Sequence, residues 1–406
     1  MTKSVFSSVF SPFASERLIH CAASARLCSG ISSMLAERFD ELHSGGYGER
    51  ADKSPVEGKD CHRLAAFKLR KALGQNAEDP TESLMYFNQE MDEAADTYVS
   101  SVMQRVRELY ARGAKPVIYI EQQVDFSRYA GVDGCFGIAD CIVLADGVID
   151  IFDMKYGRGV LIPAKDNSQL RCYALGSLQM CGGSQVSEVH LNVVQPRRDN
   201  TNSYTMSCAE LLTWADTVLA PAARLVAEGG GEFGVGKHCR FCPAKHVCRK
   251  YAEANVEFLR KFINDGTGKP EKLSSEEISS ILMGLDNLTS WAGAIKEWAV
   301  DQVAHHGAYY PGLKLVRGRS GRRQYTDPTA AARVIREAGF EPYEQVLKNP
   351  AKMSRMLGPT RFDSLLGSLI CLPPGKLTLV PESDGRPSIC PPVEVMASIK
   401  EEIEDV

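Results

Sequence analysis

The chain has 406 residues, 44% apolar and 24% charged, an ordinary globular composition with enough apolar residues for a large core. No apolar run approaches the roughly 20 residues that span a bilayer, and the opening MTKSVFSSVFSPFASERL lacks the continuous apolar stretch of a secretory signal, so a cytoplasmic protein is expected. The formal net charge of -4 argues against general nucleic-acid affinity, though a local basic groove can sit on an acidic protein, and 13 cysteines without a small-domain framework point to thiols or metal ligands rather than disulfides.

Residues 1–30 read as helical after a Ser-Pro start, and 31–60 as a Gly-, Ser- and charge-rich loop. Helical periodicity returns over 58–73 and 82–112, then breaks at Lys115-Pro116. The β-branched stretches 116–126, 137–145 and 148–156 predict strands, the last two joined by Asp146-Gly147, a strong hairpin signal. A helix over 166–181, a strand over 187–196 stopped by Pro196, and a helix over 208–230 ending in glycines complete an α/β pattern. Further helices are expected over 244–264 and 274–305, the second opened by the capping-box pair Ser274 and Glu277. The Gly-Thr-Gly-Lys-Pro stretch at 266–270 suggests two domains, 1–265 and 266–406, the second partly helical with a Pro-rich tail at 373–392.

The hairpin carries the most informative chemistry. Asp153 and Lys155 lie two apart on a strand and so share a face, and the tight turn brings Asp140 close to Asp153. Two carboxylates and an amine on one face suit a hard divalent cation with a lysine beside it, and hence phosphodiester hydrolysis. Lys155 then holds the attacking water or the developing charge. The plainer alternative is a strand-end ion pair. Asp153 is flanked by Ile151, Phe152 and Met154, however, and a charge in an apolar strand needs a partner or a task. Gln169 and Tyr173 are four apart on one helix face, and His62 in EGKDCH adds a nitrogen donor that suits Mn²⁺ as well as Mg²⁺.

Cys239, Cys242 and Cys248 have the spacing C-x2-C-x5-C, three ligands of a four-ligand site. Read locally, His238 or His246 completes a zinc site. The glycine-rich GGGEFGVG (229–236) before it lacks a P-loop pattern, and the basic RGRSGRR (317–323) fits either a phosphate contact or a solvated loop.

The order EGKDCH (57–62), GIAD (137–140), DMK (153–155) and QLRCY (169–173) resembles the RecB-like branch of the PD-(D/E)xK nucleases. It is most similar to the phage- and prophage-associated family filed as domain of unknown function 2800, also over YIEQQVDFSRY (119–129), VVQPRRDN (193–200) and PPGKLTLVPESDGRP (373–387). The resemblance implies a restriction-endonuclease-like core, a small mixed sheet flanked by helices, with a mostly helical C-terminal region. It implies a divalent-metal-dependent DNA nuclease, exonuclease-like, serving phage recombination or replication in a bacterial host. DNA is the implied partner, with a phage recombination or single-strand-binding protein beside it. His62, Asp140, Asp153 and the Met154 carbonyl look like the Mg²⁺ or Mn²⁺ ligands, Lys155 like the catalytic lysine, Gln169 and Tyr173 like the accessory motif, and Glu121 like a supporting residue. Ile138 stands where the family often has Thr or Ser. The resemblance also implies a [4Fe–4S] cluster on Cys239, Cys242, Cys248 and a distant N-terminal cysteine, for which the Cys21-Ala-Ala-Ser24 setting favours Cys21 over Cys28. The alternative is a non-cleaving DNA-binding or scaffold protein, stapled by the cluster or by zinc.

Overall fold

A computed structural model describes residues 9–29, 54–182, 186–260, 274–316, 328–338, 353 and 357–369. The chain divides into two compact units, Met1–Gly307 and Ala308–Val406. The sequence suggested a boundary at 266–270, which lies outside the described residues, as do most of the 31–60 loop, the basic stretch 317–323 and the Pro-rich tail.

Unit 1 begins with helices α1 (Ser15–His20) and α2 (24–29). Helix α3 (Ser54–Ala72) is followed by α4 (Gln89–Ala111), whose first turn is capped by Asn88, the side chain accepting from the Met91 amide at 2.9 Å. Strand β1 (Val117–Asp125) leads through the short α5 (Ser127–Ala130) to β2 (Phe136–Ala145) and β3 (Val148–Met154). Asp146 and Gly147 both take positive φ, 49° and 77°, which is the two-residue turn that the Asp-Gly pair predicts. Helix α6 (Ser168–Met180), capped by Asn167, crosses over to β4 (Glu188–Gln195), which lies parallel to β3.

Strand β5 (Asn200–Ser207) pairs antiparallel with β4 at the sheet edge. The sequence reading did not contain it. NTNSYTMS is polar, and an edge strand with one solvated side needs no apolar face to hold it. The sheet order is β1-β2-β3-β4-β5. Helix α7 (Cys208–Trp214), a π segment (Ala215–Leu219) and α8 (Ala220–Ala227) occupy the stretch expected as one helix, and α9 (Arg249–Arg260) starts later than expected. Helix α10 (Ser275–His305) has the Ser274/Glu277 capping box and is tied to the preceding segment of unit 1 through Arg240–Asp286 (3.1 Å) and Tyr251 Oη to the Asn287 carbonyl (3.2 Å). In unit 2 the described helices are α11 (Pro328–Glu337) and α12 (Pro359–Leu366).

The sheet is covered on both faces. On one, Ile142, Ile149, Ile151, Val189 and Leu191 pack under Leu170, Leu175 and Leu178 of α6, with α7 and α8 beyond. Gly176 lets α6 approach closely, since a Cβ there would lie 2.6 Å from that of Val124. On the other, Cys141, Val143, Phe152 and Met154 pack under α3 and α4 through Leu64, Leu69, Val102 and Val106. Each fully buried aliphatic side chain contributes roughly 1.5–3 kcal/mol, so both helix layers are held to the sheet by burial first.

One irregularity positions the site. Glu121, inside β1, has φ 52°, a left-handed conformation that a non-glycine residue rarely takes. The ladder runs from Ile120↔Cys141 to Gln122↔Ala139 with the Glu121–Asp140 step unpaired. The facing of the strands switches there. Ile118 and Ile120 pack on the α3/α4 side, whereas Val124 two pairs later packs on the α6 side. On β2, Cys141 and Val143 face α3/α4 while Ala139 faces α6. The kink re-aims Glu121 and Asp140 towards α3, as bulges do beside active sites.

Candidate active site

The ladder between β2 and β3 ends at Cys141↔Phe152, one step before Asp140 and Asp153. The two carboxylates therefore stand opposite each other where the strands stop pairing. Asp140 Oδ2 accepts the Met154 amide at 2.7 Å, and Oδ1 lies 3.2 Å from His62 Nδ1 on α3. Asp153 faces α6 and is 1% exposed. Its Oδ2 lies 2.7 Å from Lys155 Nζ, and its Oδ1 accepts from Gln169 Nε2 at 3.1 Å. Lys155 Nζ also donates to Gln169 Oε1 at 3.0 Å, while Gln169 Nε2 donates to the Tyr173 hydroxyl at 3.0 Å. Gln169 thus holds the carboxylate and the ammonium at once. A buried ion pair is tolerable only when its other polar atoms are satisfied in this way.

His62, Glu121 and Asp140 form a separate donor group, with one ligand atom from each within 4.8 Å of the others. The mixed nitrogen and oxygen set suits Mg²⁺ or Mn²⁺. The strained backbone of Glu121 is the independent sign of fit, because such strain persists where a site demands it. The group lines an open cleft of about 790 Å³ whose walls carry Lys59, Arg63 and Arg70 beside the carboxylate of Glu78, with one aromatic ring, Phe67.

The charges are strongly coupled. The Asp140 carboxylate, working against burial, raises the His62 imidazole to about 9. Burial opposes ionisation of Asp140, but His62 and Lys155 outweigh it and hold the carboxyl below its usual range. Asp153 moves the other way: burial, aided by the Asp140 charge, outweighs the Lys155 ammonium. Glu121 is raised to about 7 by loss of hydration and then by Asp140. Clustered carboxylates that repel one another in this way are relieved by a cation.

The cysteines lie elsewhere, Cys28 on α2, Cys239 in a short 3-10 turn, and Cys21, Cys242 and Cys248 on loops. The Cys28 and Cys242 side chains touch, packed with Ala244. A hydrogen bond from Cys242, against burial, lowers the Cys28 thiol to about 6. Cys21 acts electrostatically on both Cys28 and Cys239, and Cys239 also feels Cys242 and Cys248. Among the described residues, however, no three of these cysteines bring their sulfur atoms within 4.8 Å of one another, so the structure does not assemble the four-cysteine ligand set that the resemblance implies. His238 Nε2 donates to the Gly234 carbonyl (3.2 Å), and the ring stacks on His20, with centroids 5.7 Å apart. His246 packs near Trp298, centroids 5.9 Å apart.

A family model described as a protein of unknown function (DUF2800) matches residues 7–387. The chain belongs to this family. A solved structure titled "Crystal structure of SSO0001" is 14% identical, covering 54% of this chain and 96% of its own, with a TM-score of 0.23. A likeness that low carries no argument about this DUF2800 protein.

Within this family member, the structure brings His62, Asp140, Asp153, Lys155, Gln169 and Tyr173 to one end of the sheet. Met154 enters through its amide, beside Asp140. Glu121, expected as a supporting residue, stands among the donors themselves. The rival of Cys21 is the cysteine in direct contact with Cys242. No sequence signal announces the kink at Glu121. The Cys28–Cys242 contact likewise depends on where tertiary structure puts the helix that carries Cys28.

Proposed function

We propose that the chain is a metal-dependent deoxyribonuclease, exonuclease-like, with a RecB-type PD-(D/E)xK core. The single observation that carries the reading is the Asp153–Lys155–Gln169–Tyr173 network set beside the His62–Glu121–Asp140 donor group at the end of two strands. The mixed five-stranded sheet flanked by helices is compatible with a restriction-endonuclease-like core.

His62, Glu121 and Asp140, with Asp153 and the Met154 carbonyl beside them, would hold one Mg²⁺ or Mn²⁺. When bound, such an ion acidifies its water and withdraws charge from the scissile phosphate. The chain's own groups do the rest. Lys59, Arg63 and Arg70 in the cleft wall bind the phosphate backbone by charge. Phe67 offers a face for a base. Lys155, fixed by Asp153 and Gln169, donates a hydrogen bond to the attacking water or to the developing phosphorane oxygen. The water oxygen bonds to phosphorus as the ester P–O bond breaks, the water proton passes to solvent, and the leaving oxygen takes up a proton.

The cysteines form a staple in this reading. Cys239, Cys242 and Cys248 join an N-terminal cysteine around a [4Fe–4S] cluster, and the contact with Cys242 favours Cys28 over Cys21 for the fourth thiolate. The enzyme would act in phage recombination or replication, alongside a recombination or single-strand-binding protein.

The test is cleavage of end-labelled linear and circular DNA in Mg²⁺ and in Mn²⁺. Wild type is expected to degrade linear DNA, and Asp153→Asn or Lys155→Ala to lose about 10²–10⁴-fold of the rate. Equal rates in these variants would reject the assignment.

A further inference from the structure

Two stretches shared with the family have no task in the mechanism above: Glu57 at the head of EGKDCH, and QPRR after β4. They meet in space. The short turn Pro196–Arg198 carries Arg197, whose Nη2 and Nη1 lie 2.7 Å and 3.2 Å from the two carboxylate oxygens of Glu57. Nη2 also donates to Glu90 Oε2 at 3.0 Å. The guanidinium lies 3.8 Å over the ring of Tyr156. The side chain is 10% exposed and does not line the basic cleft.

These partners sit on the arms of the proposed site. Glu57 is on α3, five residues before His62. Tyr156 follows Lys155, whose amide donates to the Val194 carbonyl at 2.9 Å, three residues before Arg197. The neighbouring residues act on the third arm. Gln195 Nε2 donates to the carbonyls of Gly157 (3.2 Å) and Val160 (3.0 Å), and Asn202 Oδ1 accepts the Ala164 amide at 2.6 Å. They fix the loop that runs from Lys155 to α6, and so to Gln169.

We infer that Arg197 is a positioning residue: its forked contact to Glu57 and its stacking on Tyr156 fix the His62 arm against the Lys155 arm. The inference rests on the proposed nuclease reading. Three features separate Arg197 from a general surface ion pair. The contact to Glu57 is bidentate, which fixes orientation as well as distance. It is largely buried, so solvent does not screen it as it would an exposed pair. The stack on Tyr156 needs a flat cation. Arg158, which also reaches Glu90 (2.5 Å), is 66% exposed and touches neither arm's key residue, so it serves as the control.

The experiment compares wild type, Arg197→Lys, Arg197→Met and Arg158→Met. It measures Mn²⁺ dissociation constants by electron paramagnetic resonance of the DNA-free protein, kcat and KM on linear DNA, and melting temperatures. Lysine keeps the charge and loses the fork, so Arg197→Lys is expected to bind Mn²⁺ about tenfold more weakly. Its kcat should fall by a similar factor with KM unchanged, while Arg158→Met matches wild type. Arg197→Met should be at least as impaired; if it fails to fold, Arg197→Lys still decides. Wild-type Mn²⁺ affinity and kcat in Arg197→Lys, with only a lower melting temperature, would overturn the inference and leave the nuclease reading standing. A wild-type protein that neither binds Mn²⁺ nor cuts DNA would overturn the nuclease reading, and the positioning role with it.

Discussion

The strand-end site and the cysteine site are built by opposite means. At the strand end, sheet register sets Asp140 against Asp153, and α6 delivers Gln169 and Tyr173 one turn apart, so Asp140, Asp153, Lys155 and Gln169 are already held by neighbours. The cysteines sit on α2, a short 3-10 turn (Lys237–Phe241) and loops, with the first and last candidates more than 200 residues apart. The first site exists because the sheet exists. The second draws on two distant segments of the chain, and in the proposed reading its strength would come from a bound cluster. On the proposed reading, preorganisation would serve catalysis in one region and stability in the other, and substitutions should separate the two.

The largest effect is expected at the cysteines. Losing a cross-link that closes a loop of this length removes roughly 5 kcal/mol, by analogy with disulfides. Cys242→Ser should melt far lower and lose iron and its broad visible absorption, whereas Lys155→Ala, which leaves the buried Asp153 carboxyl without its ammonium, should lower the melting temperature but leave the iron in place. Cys28→Ser should behave like Cys242→Ser, and Cys21→Ser and His246→Ala should keep the iron. A zinc-loaded, colourless wild type would replace the cluster with a zinc staple.

Glu121 sharpens the contrast inside the strand-end site. Glycine accepts φ 52° freely, so Glu121→Gly should relieve strain of about 1–2 kcal/mol and raise the melting temperature of the metal-free protein. The same change removes a donor and should weaken Mn²⁺ binding about tenfold. Opposite signs on stability and affinity are the signature of a strained ligand. A loss on both counts would make Glu121 an ordinary structural residue.

The smallest effect is in pH. His62, raised from 6.5 to about 9, stabilises the metal-free fold fully below its unfolded value, and that contribution is lost as the pH rises through about 9. Glu121, raised from 4.5 to about 7, acts likewise at lower pH. A metal takes both groups without their protons, so Mn²⁺ affinity should rise with pH, by about tenfold per unit from about 7 to 9, where one proton leaves. Calorimetric titrations across that range check the slope, and His62→Asn should flatten it.

Much of the strand-end site was legible because its rules are local. Asp-Gly makes the hairpin, alternation puts Asp153 and Lys155 on one face, and a four-residue spacing aligns Gln169 with Tyr173. The Ser274/Glu277 capping box was legible for the same reason. Strand β5 was not, because a polar edge strand lacks the alternation that marks a half-buried one. Nor was the switch of facing at Glu121, since periodicity assumes an unbroken strand. Arg197 and Cys28 depend on contacts across 140 residues and more, and no local pattern predicts them.

The most direct test of the strand-end account is a crystal soaked in Mn²⁺ and measured at the manganese absorption edge. The account predicts an anomalous peak bound by His62, Glu121 and Asp140, beside an unmoved Asp153–Lys155–Gln169 network. No peak there at saturating Mn²⁺, or a peak bound only by other residues, would contradict it.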